Sequence, residues 1–562
     1  MTWMANVPMT TLPLQAPARK GIDLRRGLRW GSAAVVLLVL LPLLALVWTA
    51  ASGSGDLWPH LIQNVLPVAL KDTVLLVLGV GILAGVVGTG TAWLVATCRF
   101  PGRGAFEWLL LLPLAIPTYI QAFVYVDAVH PLGPIPTAIR GLLGMKSPRD
   151  LWLPEVRSLT GCIVLLGFVL YPYVYLSARA AFLVQTASAI DAARTLGLGA
   201  WETFLRIALP LARPAIAVGV TLALMETIND VGASEFLGVQ TLTLSIYSTW
   251  LNRSSLPGAA QIALFMLVLM LALVALERWG RRRLSVANVG ARARPPVRRT
   301  LGAGQGALAF LFCLVPVTLG FLLPAGHLLH TAWRRFLFNG LPETVLVEAM
   351  NTALFAAVGT GIALACGLLL AVAFRSGALS SVALRVASLG YAVPGTVLAV
   401  GLLVPLAAFD NAVSGVSTQL FGVATGLLLS GSGAALIIAY VIRFLAIPVG
   451  GLEAGYGRIG TTMDMAARSL GQTPGGVIRR VHLPLLRPAL GSAALLVFVD
   501  CMKELPATLM LRPLNFETLA SHVYGEAARG TYEDGALAAL LIVLVGLAPV
   551  ILLARLSRPQ AE

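Results

Sequence analysis

The chain reads as an all-α polytopic membrane protein of about twelve transmembrane helices, arranged as two parallel six-helix repeats. Three observations carry this reading. The 562 residues are 58% hydrophobic and 12% charged, with a mean hydropathy of +0.85, whereas soluble proteins carry about 25% charged residues. Apolar runs of bilayer length, about 20 residues, recur along the whole chain. One polar segment between such runs also occurs twice, at a constant, gap-free offset of 274. The first copy is Asp191-Ala192-Ala193-Arg194-Thr195-Leu196-Gly197 followed by Leu209-Pro210 and Arg213-Pro214. The second is Met465-Ala466-Ala467-Arg468-Ser469-Leu470-Gly471 followed by Leu483-Pro484 and Arg487-Pro488.

The twelve spans fall near 30–49, 69–97, 107–128, 159–180, 213–230 and 258–277, then 307–327, 350–374, 383–407, 420–447, 489–509 and 535–555. The first follows basic residues and precedes Ala50-Ala51-Ser52-Gly53, as in a cleavable leader. Its apolar run from Trp30 to Thr49 is long enough to span, so it is read as a retained helix. The chain thus divides into an N-terminal tail (1–29), a first six-helix half (30–277), a basic linker (278–306), a second half (307–555) and a C-terminal tail (556–562). The linker holds Arg281-Arg282-Arg283, Pro295-Pro296 and Arg298-Arg299, a composition with no packed core of its own.

Placing the N-terminus inside puts most of the 40 basic residues on inner segments, including Arg443 and the arginines of both duplicated segments. Both termini then face the cytoplasm. Arg140, Lys146, Arg149 and Arg157, in an outer loop near 129–158, are a local exception. The net charge of +15 follows from this topology, and arginines scattered over short loops argue against a nucleic-acid partner. The five cysteines lie in or beside apolar spans, none in a C-x-x-C pair, so no disulfide framework or zinc site is indicated.

The duplication extends past the polar segment. Asp72-Thr73 is matched by Asn351-Thr352, Ile116-Pro117 by Val393-Pro394, Glu226 by Asp500 and Asp230 by Glu504. Parallel repeats are related by an axis along the membrane normal, so a two-fold symmetric partner fits the paired segments. Ser188-x-x-Asp191 and Thr461-x-x-Asp464 are capping-box patterns. Gly197 and Gly471 suit left-handed helix terminators. A short second helix is expected after each. In the first copy Trp201, Phe204, Leu205 and Ala208 form its apolar face; in the second, Thr473-Pro474 is its cap and first turn. Leu-Pro is expected to end each of these helices.

These segments resemble the "EAA" loops of binding-protein-dependent ABC importer permeases: Glu-Ala-Ala, three residues, Gly, then a downstream Leu-Pro. The family's Glu is Asp191 in the first copy and Met465 in the second, with Asp464 just before it. The resemblance implies that each loop is a coupling helix seated in an ATPase cleft. Asp191, Ala192, Ala193 and Gly197 would face one ATPase copy, and Asp464, Ala466, Ala467 and Gly471 the other. It further implies a periplasmic or lipid-anchored binding protein, a bacterial inner-membrane location, and ATP and Mg held by the ATPase, with no cofactor on this chain. The sequence agrees on one point: none of its four lysines (Lys20, Lys71, Lys146, Lys503) follows a glycine, so no Walker A motif exists. No catalytic cluster appears among the six histidines, and His327 and His330 read as interfacial residues with separate partners.

Ionisable residues within spans are costly and face a cavity or a partner. Glu226 and Asp230 lie at i, i+4 late in span five; Asp500 and Glu504 repeat this in span eleven, beside Lys503. Across a pseudo-two-fold axis these four acids are expected to border a translocation path near its outer end, Lys503 offsetting part of their charge, with hard oxygen ligands suited to a hard cation. The competing expectation is that they cap helix ends or pair with Arg253, Arg512 and loop amides. The segment from Asn229 to Thr241 resembles the first half of ferric-iron-type permeases. Lys503 to Pro513, with Asn515 to Ala520, resembles the second. The resemblance thus implies a fused ferric-iron permease, with thiamine or polyamine as alternative substrates. An ion-coupled secondary transporter leaves the two matched loops unexplained.

Overall fold

Without water in a hydrocarbon core, backbone amides must be satisfied within their own segment, so apolar runs fold as helices. The computed structural model describes residues 20–148, 150–151, 153–184, 187–282 and 298–556. The expected tails at 1–19 and 557–562, the middle of the linker at 283–297, Arg149 and the side chains of Ser188 and Arg194 lie outside the described residues. Ten of the described helices are long and apolar enough to cross a membrane. Two bent pairs bring the number to twelve.

The first half runs α1 (Lys20–Ala51), α2 (Leu57–Thr97), α3 (Arg103–Leu109), α4 (Thr118–Val129), α5 (Pro134–Leu143), α6 (Leu159–Val184), α7 (Ala187–Thr195), α8 (Ala200–Asn229), α9 (Gly232–Phe236), α10 (Leu242–Leu251) and α11 (Leu256–Arg282). The second half runs α12 (Ala303–Asn339), α13 (Glu343–Arg375), α14 (Ser381–Ala387), α15 (Gly395–Phe421), α16 (Ala434–Phe444), α17 (Ala446–Gly457), α18 (Thr461–Ser469), α19 (Pro474–Met502), α20 (Pro506–Leu511), α21 (Leu519–Arg529) and α22 (Tyr532–Leu556). The order repeats, with two differences. α5 has no counterpart, and α6 is matched by the pair α16 and α17.

Three of the expected spans are not simple rods. Spans three and nine break at Pro117 and Pro394. A residue before proline is pushed out of the helical region, and Ile116 (ψ 117°) and Val393 (ψ 123°) are extended. The first break turns the chain by 90°. Span ten, expected over 420–447, begins only at Ala434, because Gly422 (φ +67°) closes α15 and Asp410 accepts the amides of Leu429 and Ser430 at 2.8 and 2.9 Å. An apolar stretch that reads as helix is thereby held as a loop.

The Leu-Pro dipeptides do not end helices. Phe204–Ala208 and Ile478–His482 form π turns, and α8 and α19 pass straight through them. Proline lacks an N–H and clashes with the carbonyl four residues back. A wider turn takes up that misfit. Leu61–Val65 and Thr318–Leu322 are π turns of the same kind, each again just before Leu-Pro.

The halves interlock. α1 packs on α13, α14 and α15 of the second half, and α12 packs on α3, α4 and α6 of the first. Glycine lets these crossings close. A Cβ on Gly401 would lie 2.3 Å from the Pro42 carbonyl oxygen, and one on Gly320 would lie 2.4 Å from that of Phe168. Gln121 and Tyr125 donate to the carbonyls of Gly320 and Leu319 across the same crossing. The linker's far end is tied back as well. β1 (Cys98–Arg99) pairs in parallel with β2 (Arg299–Thr300).

Candidate translocation cavity and coupling loops

A cavity of about 160 Å³ lies between the halves. Glu226, Asp230, Asp500, Lys503 and Glu504, singled out from sequence, all line it. They converge because α8 and α19 stop at matched positions. The chain then turns into the short helices α9 and α20, while the breaks at Pro117 and Pro394 bring Thr118, Tyr119 and Tyr391 to the same wall.

The acids divide into two kinds. Asp230 and Glu504 are buried caps. Asp230 accepts from the Ser234 amide at 3.0 Å and from the Thr118 hydroxyl. Glu504 accepts from the amides of Ala507 and Thr508 at 2.9 and 3.0 Å and from the Thr508 hydroxyl at 2.9 Å. Here the competing expectation of loop amides describes the geometry. Arg512 instead pairs with Glu517. Glu226 and Asp500 are less enclosed. The Lys503 ammonium sits 2.9 Å from Asp500, and the Tyr391 hydroxyl meets Glu226.

Sequence reasoning missed Arg443, which it had counted as an inner-loop charge. The side chain lies on α16, lines the cavity and pairs with Glu504 at 3.3 Å. A positive-inside count cannot tell a loop arginine from one placed opposite a buried acid. Tyr119 and Asn229 were also missed. Both line the cavity, and each keeps a buried polar atom with no partner among the described residues. Four carboxylates against two cations leave a formal excess of two negative charges on the wall. Among the described residues no three His, Cys, Asp or Glu side chains converge as a metal-ligand set. His327 pairs with Asp127 at 2.8 Å.

Helices α7 and α18 form the duplicated loops. Gly197 (φ +81°) and Gly471 (φ +79°) terminate them in the left-handed region. The amides of Leu198 and Gln472 reach back to the carbonyls of Ala193 and Ala467 at 3.1 and 3.0 Å, closing a Schellman motif. Ala192, Ala466, Gly197 and Gly471 are exposed, while Ala193 and Ala467 turn inward. Leu196 and Leu470 project from the two loops, 81% and 79% exposed. Asp191 is half-buried. The expected apolar face after the first loop is only partly buried: Phe204 and Ala208 turn inward, and Trp201 and Leu205 are exposed, because the π turn shifts their register.

In the second loop Gly460, not a threonine, occupies the cap position, so the expected capping box at Thr461 does not form. Asp464 turns toward its own chain. His482 and Arg375 meet it at 2.8 and 3.1 Å. Burial alone would raise its pKa, but these two partners outweigh burial and hold the carboxyl below the usual range. The Thr473 side chain accepts the Gly476 amide, as its cap pattern implies.

Comparison with known proteins accords with this architecture. Residues 85–286 match the family of binding-protein-dependent transport system inner membrane components. The chain is 27% identical over 497 residues to the Fe(3+)-transport system permease protein FbpB 2 of Haemophilus influenzae, covering 86% of this chain and 89% of that one. It is 26% identical over 559 residues to a probable ABC transporter permease, y4fN, of Sinorhizobium fredii, covering 93% and 95%. The sulfate permease CysT of Escherichia coli, 28% identical, matches over 90% of its own length but 44% of this chain. Shorter relatives cover under half of this chain, and the long ones cover most of it. Residues 85–286 thus carry the inner-membrane component of binding-protein-dependent transport systems, and over most of its length the chain is similar to long permeases of ABC importers, with ten to twelve helices long and apolar enough to cross a membrane.

Proposed function

We propose that this permease imports ferric iron, received from a binding protein on the outer face and moved by a separate ATPase dimer docked on α7 and α18. One observation carries the proposal. The acids picked out by duplication converge on one cavity between the halves, and each pair stands at the end of a continuous helix that starts at a duplicated loop. α8 has 30 residues and α19 has 29, about 45 Å of helix each at 1.5 Å per residue. Displacement of a loop therefore reaches the cavity wall through a rod. The exposed Leu196 and Leu470, each followed by glycine, supply matched apolar contacts of the kind an ATPase cleft takes.

The negative excess on the wall favours a cation, and the Haemophilus influenzae relative, which covers 86% of this chain, is an Fe(3+)-transport permease. A second reading is oxyanion import. It is favoured by the sulfate and molybdenum permeases among the relatives and by Arg443 and Lys503 on the wall. In this scheme the chain hydrolyses nothing, and both termini and both loops lie on the ATPase side. The test is uptake into liposomes holding the chain and its ATPase, with each candidate binding protein in turn. Fe(III) uptake that needs ATP is the expected result. ATP-driven uptake of sulfate or molybdate, with none of Fe(III), overturns the iron assignment. Uptake without the ATPase overturns the mechanism.

A further inference from the structure

The second duplicated loop is joined to the membrane helices by charged and polar side chains. Around the second loop four side chains form a closed ring. The Arg375 guanidinium donates to Asp464 from Nη2 at 3.1 Å and Nε at 3.3 Å. The other carboxylate oxygen lies 2.8 Å from His482 Nε2. His482 Nδ1 lies 3.3 Å from the Tyr456 hydroxyl, and the Tyr456 ring packs edge-on to the imidazole, centroids 5.1 Å apart. Arg375 closes the ring by donating to the Tyr456 carbonyl at 3.3 Å and lying 5.5 Å over its aromatic face. These residues come from α13, α17, α18 and the π turn of α19.

The pseudo-equivalent positions in the first half are all apolar. The 274 offset places Ile190 opposite Asp464, Ala208 opposite His482 and Phe182 opposite Tyr456. Thr73 and Thr352 accept the first amides of α10 and α21 at 3.0 and 2.9 Å. They align α2 with α13 and place Ala96 opposite Arg375. All four first-half residues belong to one buried apolar cluster, and Phe182 packs against Trp93 at 5.4 Å.

We propose that Asp464 is a positioning residue that anchors the second coupling loop through this polar ring, at positions where the first half carries apolar side chains. The ring is a set of charge-assisted hydrogen bonds, stronger and more directional than neutral ones. The consequence for transport rests on the ATPase-docking reading above; the anchoring itself does not.

The anchoring is tested on the full chain in lipid nanodiscs by amide hydrogen exchange, with the first loop as internal control. Asp464→Asn is expected to speed exchange across 461–470 roughly tenfold, the scale of a lost charged hydrogen bond, and to leave 187–196 unchanged. Unchanged exchange in Asp464→Asn overturns the proposal. If Asp464→Asn loosens the whole chain, both loops lose protection together, and His482→Gln then decides by the same criteria. Failure of the ATPase to bind wild-type chain would instead overturn the docking reading and leave the exchange result standing. Where it binds, Asp464→Asn is expected to retain that binding and move several-fold less substrate per ATP.

Discussion

Glu504 and Arg443 show how one residue pair can be structural and still line the cavity between the halves. The Glu504 side chain is 2% exposed and already saturated by two amides and a hydroxyl. Removing Arg443 strands a buried charge, which typically costs 3–5 kcal/mol. Arg443→Ala is therefore expected to lower the melting temperature of the nanodisc-embedded protein sharply. Lys503→Ala acts on a pair that is 32% and 23% exposed and should cost about 1 kcal/mol or less. Equal effects would mean that the cavity wall is more uniformly wet than its burial implies. In the proposed function Glu226 and Asp500, the less enclosed acids, are the ones that meet cargo. Changing both, Glu226→Gln with Asp500→Asn, is expected to cut import at least about tenfold, the worth of one lost charged contact, while leaving melting temperature and ATPase binding intact. Unchanged import would remove them from the path. These acids were legible in sequence because a charge inside an apolar span needs a reason. Arg443 was not legible, because arginine is common at span ends.

At the scale of elements, the π turns are the least expected feature and the most regular. Each of the four described here precedes a Leu-Pro dipeptide. In a sequence, Leu-Pro signals a helix end, because proline usually breaks what precedes it. Here the extra residue of the π turn absorbs the clash, and the helix continues. That rod continuity between loop and cavity was hidden from sequence, whereas the glycine terminators, the proline breaks and most span positions were plain. A π turn also sets rotation. Deleting the exposed Arg480 should return the second π turn to an α turn and rotate α18 by about 100° against α19, at 3.6 residues per turn. That rotation swings Asp464 away from His482. The expected outcome is a chain that inserts normally and binds lipid normally, with import abolished. Import near the wild-type level would show that the loop's rotational setting does not matter. Gly471→Ala is the milder control: no atom lies within 4 Å of the added Cβ, so only the left-handed backbone is strained, at about 1 kcal/mol.

At the scale of the molecule, sequence repetition suggests two separable bundles, but the packing denies it. The first and last helices of each half lie on the opposite half: α1 and α11 against α15, and α12 and α22 against α4 and the turn before it. The crossings are tight at Gly401, Gly320 and Gly546, where a Cβ would meet backbone oxygen at 2.3, 2.4 and 2.3 Å. A half expressed alone therefore exposes the surfaces that its partner's terminal helices cover, and it lacks the wall of its own cavity. Between the helices it joins, the linker's described residues add a two-residue strand and the bond from the Leu301 amide to the Arg99 carbonyl, so covalent continuity should matter less than co-presence. Splitting the gene within 283–297 and expressing both pieces together is expected to yield a complex that co-purifies through a tag on either piece and keeps transport. Each piece alone should be degraded or aggregate. A stable, monodisperse single half would contradict the interlock. It would also weaken the view that the cavity opens by the halves rocking as wholes, because bundles that share their outer helices must carry those helices with them whenever they move.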